Sequence, residues 1–177
     1  MGDDGGKERG REASAAEAGG NRPPVSPAKM RSVARLAAVQ GLYQMDMART
    51  DLTEVIQEFM LYRFGEQARF DFADADTSFF EELIKGVVRR QRDIDPLLDG
   101  QLAQGWRLKR IDSILRAILR AGAFELIERA DVPATVVIDE YIDVAHAFFG
   151  GEEPKVVNGV LDKLARRLRA SEVKARQ

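Results

Sequence analysis

Apolar residues recur at helical spacing along most of this chain. Segment 79–88 carries two columns that repeat every fourth residue, namely Phe79, Leu83, Val87 and Phe80, Ile84, Val88. Similar stripes occupy segments 28–48, 51–62, 110–129, 137–148 and 154–168, and Asp95 followed by Pro96 predicts the start of a short additional helix. The apolar face of the first helix, which includes Met47, is expected to be central, and the second helix is expected to bury Tyr62. The pattern therefore predicts an all-α fold of about seven helices.

The composition divides the chain into three parts. Residues 1–27 consist mainly of glycine, alanine and charged residues and end in a proline cluster, so they are predicted to form a disordered tail. Residues 28–170 are predicted to form one helical domain, because 177 residues with 45% apolar content can bury one sizeable core. Residues 171–177 are predicted to be a flexible C-terminus.

The residue inventory argues against catalysis. The chain has no cysteine and one histidine, and its N-terminal glycines lack the spacing of a phosphate-binding loop. Paired carboxylates such as Glu81 and Glu82 are sequence neighbours and so point to different sides of a helix. The prediction is a protein that is not an enzyme and has no cofactor or metal. Without cysteines or a long apolar run, a cytoplasmic location with no membrane contact is expected.

Charge is segregated along the chain, although the net charge is only −2. Residues 50–99 hold 12 acidic and 6 basic side chains, whereas residues 103–120 hold five basic and one acidic, and residues 163–177 six basic and one acidic. Basic patches indicate contact with a polyanion, and the acidic middle indicates a basic protein partner. Ordinary solvated helix faces are the alternative.

Two arginine pairs at helical spacing are candidates for anion binding. Arg31 and Arg35 lie at i, i+4, where like charges cost about 0.2–0.5 kcal/mol unless an anion sits between them. Arg116 and Arg120 repeat the arrangement, with Asp112 as a possible partner for Arg116.

The last helix and the first supply three further candidates. Lys155 lies in the first turn of the last helix, where backbone N–H groups already favour an anion. Asn158 is a weak helix former with polar groups that packing alone does not require. Tyr43 lies two turns beyond Arg35 and is either a core aromatic residue or a contact for nucleic acid.

Four segments together resemble the NusB family of bacterial transcription antitermination factors, over about residues 30–169. They are ARLAAVQGLYQMD at 34–46, ILRAGAFEL at 118–126, DVPATVVIDEYIDVA at 131–145 and KVVNGVLDK at 155–163. The resemblance implies one all-helical domain of two small packed bundles, with no enzymatic activity. It also implies binding of boxA-containing RNA together with the ribosomal protein NusE, and loading onto the RNA polymerase antitermination complex during ribosomal RNA synthesis.

The resemblance also implies a set of RNA-binding residues. They are Lys29, Arg31, Arg35, Tyr43, Arg116, Arg120, Lys155 and Asn158. The chain departs from the family pattern at Ser32 and Val33, where other members can have arginines, and at Val156, where an aromatic residue is often found.

Two other interpretations stay open from the sequence. Similar helical domains are fused to RNA cytosine methyltransferases, so this could be an accessory RNA-binding domain, although the chain leaves no room for a cofactor-binding α/β domain. A helical scaffold with no RNA role is the other alternative.

Overall fold

Helices account for most of the structure, a computed structural model that describes residues 24–65 and 72–174. The part of the predicted tail up to residue 23 lies outside that range. The helices are α1 (Pro27–Ala48), α2 (Leu52–Glu58), α3 (Thr77–Asp99), α4 (Ser113–Glu128), α5 (Ala134–Phe148), α6 (Glu153–Leu168) and α7 (Ala170–Lys174). The described residues contain no β-strand, and no helix among them is long and apolar enough to span a membrane. The all-α prediction is confirmed.

Side-chain caps fix where four of the helices begin. Ser26 precedes Pro27 and its Oγ accepts a hydrogen bond from the N–H of Lys29. Carboxylates do the same at three later helices, where they satisfy backbone donors that have no partner within the helix. These N-cap residues are Asp51 for α2, Asp76 for α3 and Asp112 for α4.

Helix α4 occupies the centre of the molecule. Its residues 117–126 are all buried, and it packs against α1, α3, α5 and α6. Helix α1 also packs against four helices, α2, α3, α4 and α5, but the expectation that its buried face includes Met47 is wrong, because that side chain is 60% exposed. Helices α1–α3 pack on one side of α4 and helices α5–α6 on the other, as two small bundles around one core.

Two glycines allow neighbouring helices to approach α4 closely. A Cβ atom added to Gly86 of α3 would overlap the ring of Phe124. A Cβ atom added to Gly122 of α4 would lie 2.7 Å from a methyl group of Leu161 on α6. Real Cβ atoms do not approach other atoms so closely. The packing of α3 and α6 on α4 therefore depends on these two glycines.

The predicted short helix at Asp95 and Pro96 does not exist as a separate element. Helix α3 continues through Pro96 and ends at Asp99. Proline removes one backbone donor, but here it does so within the last turn, close to where the helix ends anyway. The predicted cap, Asp95, instead binds Arg120 of α4 through both carboxylate oxygens.

A π-helical turn, Phe59–Arg63, follows α2 and corrects the expected orientation of Tyr62. The N–H of Phe64 donates to the carbonyl of Phe59 at 3.1 Å, five residues back, which brings both phenyl rings to Phe80 in the core. The wider turn leaves Tyr62 facing outwards, and its side chain is 69% exposed rather than buried.

The C-terminal region is held to the core by Arg169, which is only 8% exposed. Its guanidinium donates to the carbonyl oxygens of Leu126, Val132, Glu125 and Arg129 at 2.7–2.8 Å. Residues 170–174, which include part of the predicted flexible C-terminus, are helical, and residues 175–177 lie outside the described residues.

Candidate nucleic-acid interface

Arg35 of α1 lies inside the protein and not on the predicted anion-binding face. Its side chain is 3% exposed, and its Nε and Nη2 donate to Glu125 of α4 at 2.7 and 2.9 Å. Its Nη1 lies 3.2 Å from a carboxylate oxygen of Glu140 on α5. The anions that balance Arg35 are therefore carboxylates of the chain itself. This corrects the expectation that Arg35 faces RNA.

A buried hydrogen-bond network surrounds this ion pair. The hydroxyl of Tyr141 donates to Glu125 at 2.8 Å. Burial, followed by the negative charge of Glu125, raises the pKa of Tyr141 well above its ordinary value, so the hydroxyl stays a donor. Burial tends to lower the pKa of Arg35, but its hydrogen bonds and attraction to Glu125 outweigh that effect and the pKa is raised. The network thus ties α1, α4 and α5 together.

Lys29 and Arg31, unlike Arg35, remain accessible at the start of α1. The Arg31 side chain is 43% exposed, and its Nε lies 3.9 Å from Asp76. Its guanidinium also lies 5.7 Å from the centroid of the Phe79 ring. Lys29 is exposed, and its ammonium makes no ion pair within residues 24–65 and 72–174. These two cations can reach a phosphate without breaking a buried contact.

Arg120 of α4 is a structural cation. Its side chain is 9% exposed, and its Nε and Nη2 donate to the two carboxylate oxygens of Asp95, each at 2.8 Å. Its Nη1 lies 3.3 Å from Asp46 of α1. The guanidinium therefore joins α1, α3 and α4, and the expectation of direct RNA contact by Arg120 is corrected in the same way as for Arg35.

Arg116 holds the loop that precedes α4. Its Nε lies 3.0 Å from Asp46, and its Nη1 donates to the carbonyl oxygens of Leu108, Lys109 and Ile111 at 3.3–3.4 Å. The predicted partner, Asp112, instead caps α4. Because its side chain is 15% exposed and committed to these contacts, Arg116 positions the loop and is not free to receive a ligand.

Tyr43 lies at a groove of about 410 Å³ between α1, the π-helical turn, the start of α4 and the end of α5. Its side chain is 37% exposed. Apolar side chains form much of the lining, among them Met47, Ile114 and Phe148. Tyr43 is therefore accessible and not a core residue, and its contact with RNA stays a prediction. Its mainly apolar surroundings suit an apolar partner.

The start of α6 carries the two other accessible candidates. Lys155 is 76% exposed, and its Nζ pairs with Glu152 at 2.8 Å. An exposed pair of this kind contributes little to stability. Asn158 is exposed one turn later, and its amide makes no hydrogen bond within the part of the chain that the structure describes. Neither residue is needed for packing, so both are available to a ligand.

A basic loop before α4 is a site that helical periodicity does not predict. Trp106, Arg107, Lys109 and Arg110 are all exposed, and the three cations make no ion pair with other described residues. Together with Val156 of α6, Trp106, Arg107 and Arg110 line a second groove, of about 380 Å³. The signal in the sequence is the run WRLKR, three cations within four residues beside the chain's one tryptophan.

The acidic middle of the chain is not a uniform free patch. Many of its carboxylates interact with other groups of the chain, in helix caps, in ion pairs and in a hydrogen bond to the short 3-10 turn Leu108–Arg110 that precedes α4. These carboxylates are Asp51 and Asp76 at helix starts, Glu82 with Arg129, Asp95 with Arg120, and Asp99 with the N–H of Leu108. The charge-based inference of a protein partner on this segment is weakened accordingly.

The accessible candidates lie on more than one surface, because Arg31 is at the other end of α1, beside Asp76 and Phe79. The groove at Tyr43 and the groove at Trp106 lie on either side of the start of α4, because the consecutive residues Ile114 and Leu115 line one each. Val156 of α6 lines the groove at Trp106; Lys155 directly precedes it, whereas Asn158 lies two residues further along α6 and so points to a different side of the helix.

Comparison with known proteins identifies relatives over nearly the whole described domain. The model of the NusB family matches residues 32–166. A transcription antitermination protein NusB from Allorhizobium ampelinum is 50% identical over 155 residues, which cover 87% of this chain and 97% of the relative. The protein of the same name from Maricaulis maris is 52% identical over 151 residues, covering 85% and 94%.

Solved structures show the same fold. NusB from T. maritima superposes with a TM-score of 0.69 at 26% identity, covering 84% of this chain and 98% of that chain. A chain from the crystal structure of antitermination factors NusB and NusE in complex with double-stranded RNA gives 0.66 at 24% identity, covering 78% and 98%. At that identity the second likeness shows the fold alone. Three findings agree with the sequence motifs: the match to the family model, the relatives at about 50% identity, and the shared fold. This chain belongs to the NusB family.

Proposed function

We propose that this chain is a non-enzymatic, RNA-binding transcription antitermination factor that binds boxA-containing RNA together with the ribosomal protein NusE. The observation that carries the proposal is the match, at about half identity, to relatives named transcription antitermination protein NusB over nearly their full length. Loading onto the RNA polymerase antitermination complex is part of the same proposal and is drawn from the family resemblance.

The accessible cations support an RNA-binding role. Lys29 and Arg31 lie at the start of α1, while Arg107, Lys109 and Arg110 lie in the loop before α4. Single-stranded RNA is held by neutralising its phosphates and by contacts to exposed base edges. The cations supply the first kind of contact. The exposed amide at Asn158 supplies the second, because it offers both a donor and an acceptor.

The interior arginines act through other residues in this proposal. Arg116 fixes the backbone of the basic loop through three carbonyl oxygens, so the loop's cations are presented in one arrangement. Arg35 fixes α1 against α4 and thereby the position of Arg31 one turn away. Both are positioning residues.

The groove at Tyr43 is the surface that we propose for the protein partner, NusE. Its exposed apolar rim, which includes Met47 at 60% exposure, would be removed from water when a protein segment covers it. The lining is mainly apolar, with Arg63 as its one charged residue among the described residues. Tyr43 can still reach RNA from the edge of the groove, so its predicted RNA contact and a partner contact are compatible.

A filter-binding titration tests the proposal. Wild-type protein is titrated into boxA RNA and into a scrambled RNA of equal length, with and without NusE. We expect tighter binding of boxA RNA and a further gain with NusE. Equal affinity for the two RNAs would contradict the proposal, RNA binding unaffected by NusE would favour the methyltransferase-type accessory domain, and no RNA binding would favour the scaffold.

Paired variants locate the RNA surface. Arg107→Gln with Arg110→Gln removes two exposed cations of the loop, and Arg166→Gln with Arg167→Gln removes two exposed cations near the other end of α6. Each double variant loses two positive charges, so a diffuse electrostatic effect would weaken RNA binding equally in both. We expect the loop variant to bind RNA more weakly than the control variant. Equal affinities of the two variants would exclude the loop as a specific contact.

A further inference from the structure

The packing of α6 does not explain why residue 159 is a glycine. It lies in the interior of α6, where glycine destabilises a helix relative to alanine. A Cβ atom at this position would meet no atom within 4 Å, and the backbone does not have a positive φ angle. Nothing within the described residues therefore requires glycine here.

The missing side chain opens the floor of a small groove between α6 and the loop after α3. This groove of about 170 Å³ is lined by Trp106 and residues 101–103 of the loop and by Val156, Gly159, Val160 and Lys163 of α6. The indole of Trp106 is 46% exposed, and its N–H makes no hydrogen bond with the described residues. An accessible indole and bare helix backbone thus line one slot, which is suited to a flat group.

The charge around the slot favours an anionic ligand. Among the described residues, Lys163 is the one charged residue in the lining of this groove, and it makes no ion pair with any of them. Arg107 follows Trp106 in sequence and makes no ion pair with the described residues, but it lines the neighbouring groove and not the slot. The acidic residues nearby, Asp112, Glu152 and Glu153, line that neighbouring groove as well.

We propose that the slot at Trp106 and Gly159 receives one unpaired nucleobase of bound RNA, with Lys163 facing an adjoining phosphate. The inference rests on the proposed RNA-binding function and names a base-stacking site within it. Aromatic side chains bind bases of single-stranded RNA by stacking. Trp106 would supply the stacking surface, and the absence of a side chain at Gly159 would leave room for the ring.

The fluorescence of Trp106 reports on this site without an added label, because Trp106 is the only tryptophan of the sequence. Labelled single-stranded boxA RNA is titrated while its anisotropy and the tryptophan emission are followed together. We expect the emission to be quenched, and to become shielded from acrylamide, over the same concentration range in which anisotropy rises. Binding by anisotropy with unchanged emission would overturn the stacking site alone, whereas no binding would overturn the proposed function as well. Emission that responds to NusE but not to RNA would assign the slot to the protein partner and overturn the inference.

Substitutions of the two sides of the slot provide the second test. Trp106→Ala should weaken RNA binding about five-fold or more. Gly159→Ala should keep or raise the melting temperature and still weaken RNA binding, a combination that loss of structure cannot produce. Gly150→Ala is the matched control, since a Cβ atom there also meets nothing within 4 Å and Gly150 does not line the slot. Unchanged affinity in the Gly159 variant, with Trp106 still quenched by RNA, would show that the base does not enter between the two residues and overturn the proposal.

Discussion

Arg35 and Glu125, which are 90 residues apart in sequence, form a two-pronged ion pair in the interior between α1 and α4. Arg31, one helical turn from Arg35, is 43% exposed. Two arginines at i, i+4 therefore have opposite roles, one in the core and one at the surface. Substitutions at the two positions should separate stability from RNA binding.

Arg35→Leu should lower the free energy of unfolding by about 3–5 kcal/mol, because it leaves the charge of Glu125 buried without its main partner. Arg31→Leu should change it by no more than about 0.5 kcal/mol, as expected for a surface position. Urea unfolding measures both. Equal, small decreases would mean that the buried pair contributes little to stability.

Removing the accessible cations of α1 should alter the salt dependence of RNA binding. Lys29→Ala with Arg31→Ala should reduce the slope of log affinity against log salt by roughly 0.7 for each phosphate of single-stranded RNA that is no longer neutralised. Arg92→Ala, at an exposed position of α3, is the control. An unchanged slope in the double variant would show that Lys29 and Arg31 are ordinary solvated charges that do not neutralise RNA phosphates.

Asn158→Ala should weaken RNA binding while leaving stability within about 0.5 kcal/mol, because the side chain is exposed and satisfies no buried group. Thermal unfolding and RNA titration of the same preparation check both. A variant that melts clearly earlier yet binds RNA normally while folded would assign Asn158 a structural role.

Tyr141→Phe should destabilise the protein at neutral pH by about 1.5–3 kcal/mol, because it removes a hydrogen bond to the buried carboxylate of Glu125. The pKa of Tyr141 is raised by folding. The wild-type stability that depends on the protonated hydroxyl is therefore fully present below the unfolded pKa near 10 and falls as pH rises above it. The gap between wild type and variant should narrow above pH 10, measured by urea unfolding at successive pH values. A constant gap would contradict the assigned network.

Periodicity was sufficient to predict the helical fold, but not the partner of each charge. The spacing of Arg31 and Arg35 places both on one side of α1, and only the packing of α4 decides that Arg35 meets Glu125. The same holds for Asp95, whose sequence context is that of a helix cap but whose carboxylate binds Arg120 from a neighbouring helix. Contacts between residues far apart in sequence leave no local pattern.

Among the candidate site residues, those in exposed first turns were the most predictable. Lys155 and Lys29 are exposed in the first turns of α6 and α1, as an RNA contact requires, and the contact itself stays a prediction. The basic loop at Trp106 escapes prediction by helical spacing, which favours Arg116 and Arg120, because the loop lies between α3 and α4 and only the short 3-10 turn Leu108–Arg110 is helical there. A local cluster of cations beside an aromatic residue was the better indicator of an accessible surface.

The hydrogen bonds of Arg169 have a consequence for the order in which the protein folds. The carbonyl groups of Leu126 and Glu125, at the C-terminal end of the central helix, accept from a side chain 43 and 44 residues further along the chain. The backbone bonds of α4 are local, whereas this contact requires the closure of a long loop, which costs conformational entropy before the contact is made. The end of α4 is therefore covered later in folding than its own turns are formed.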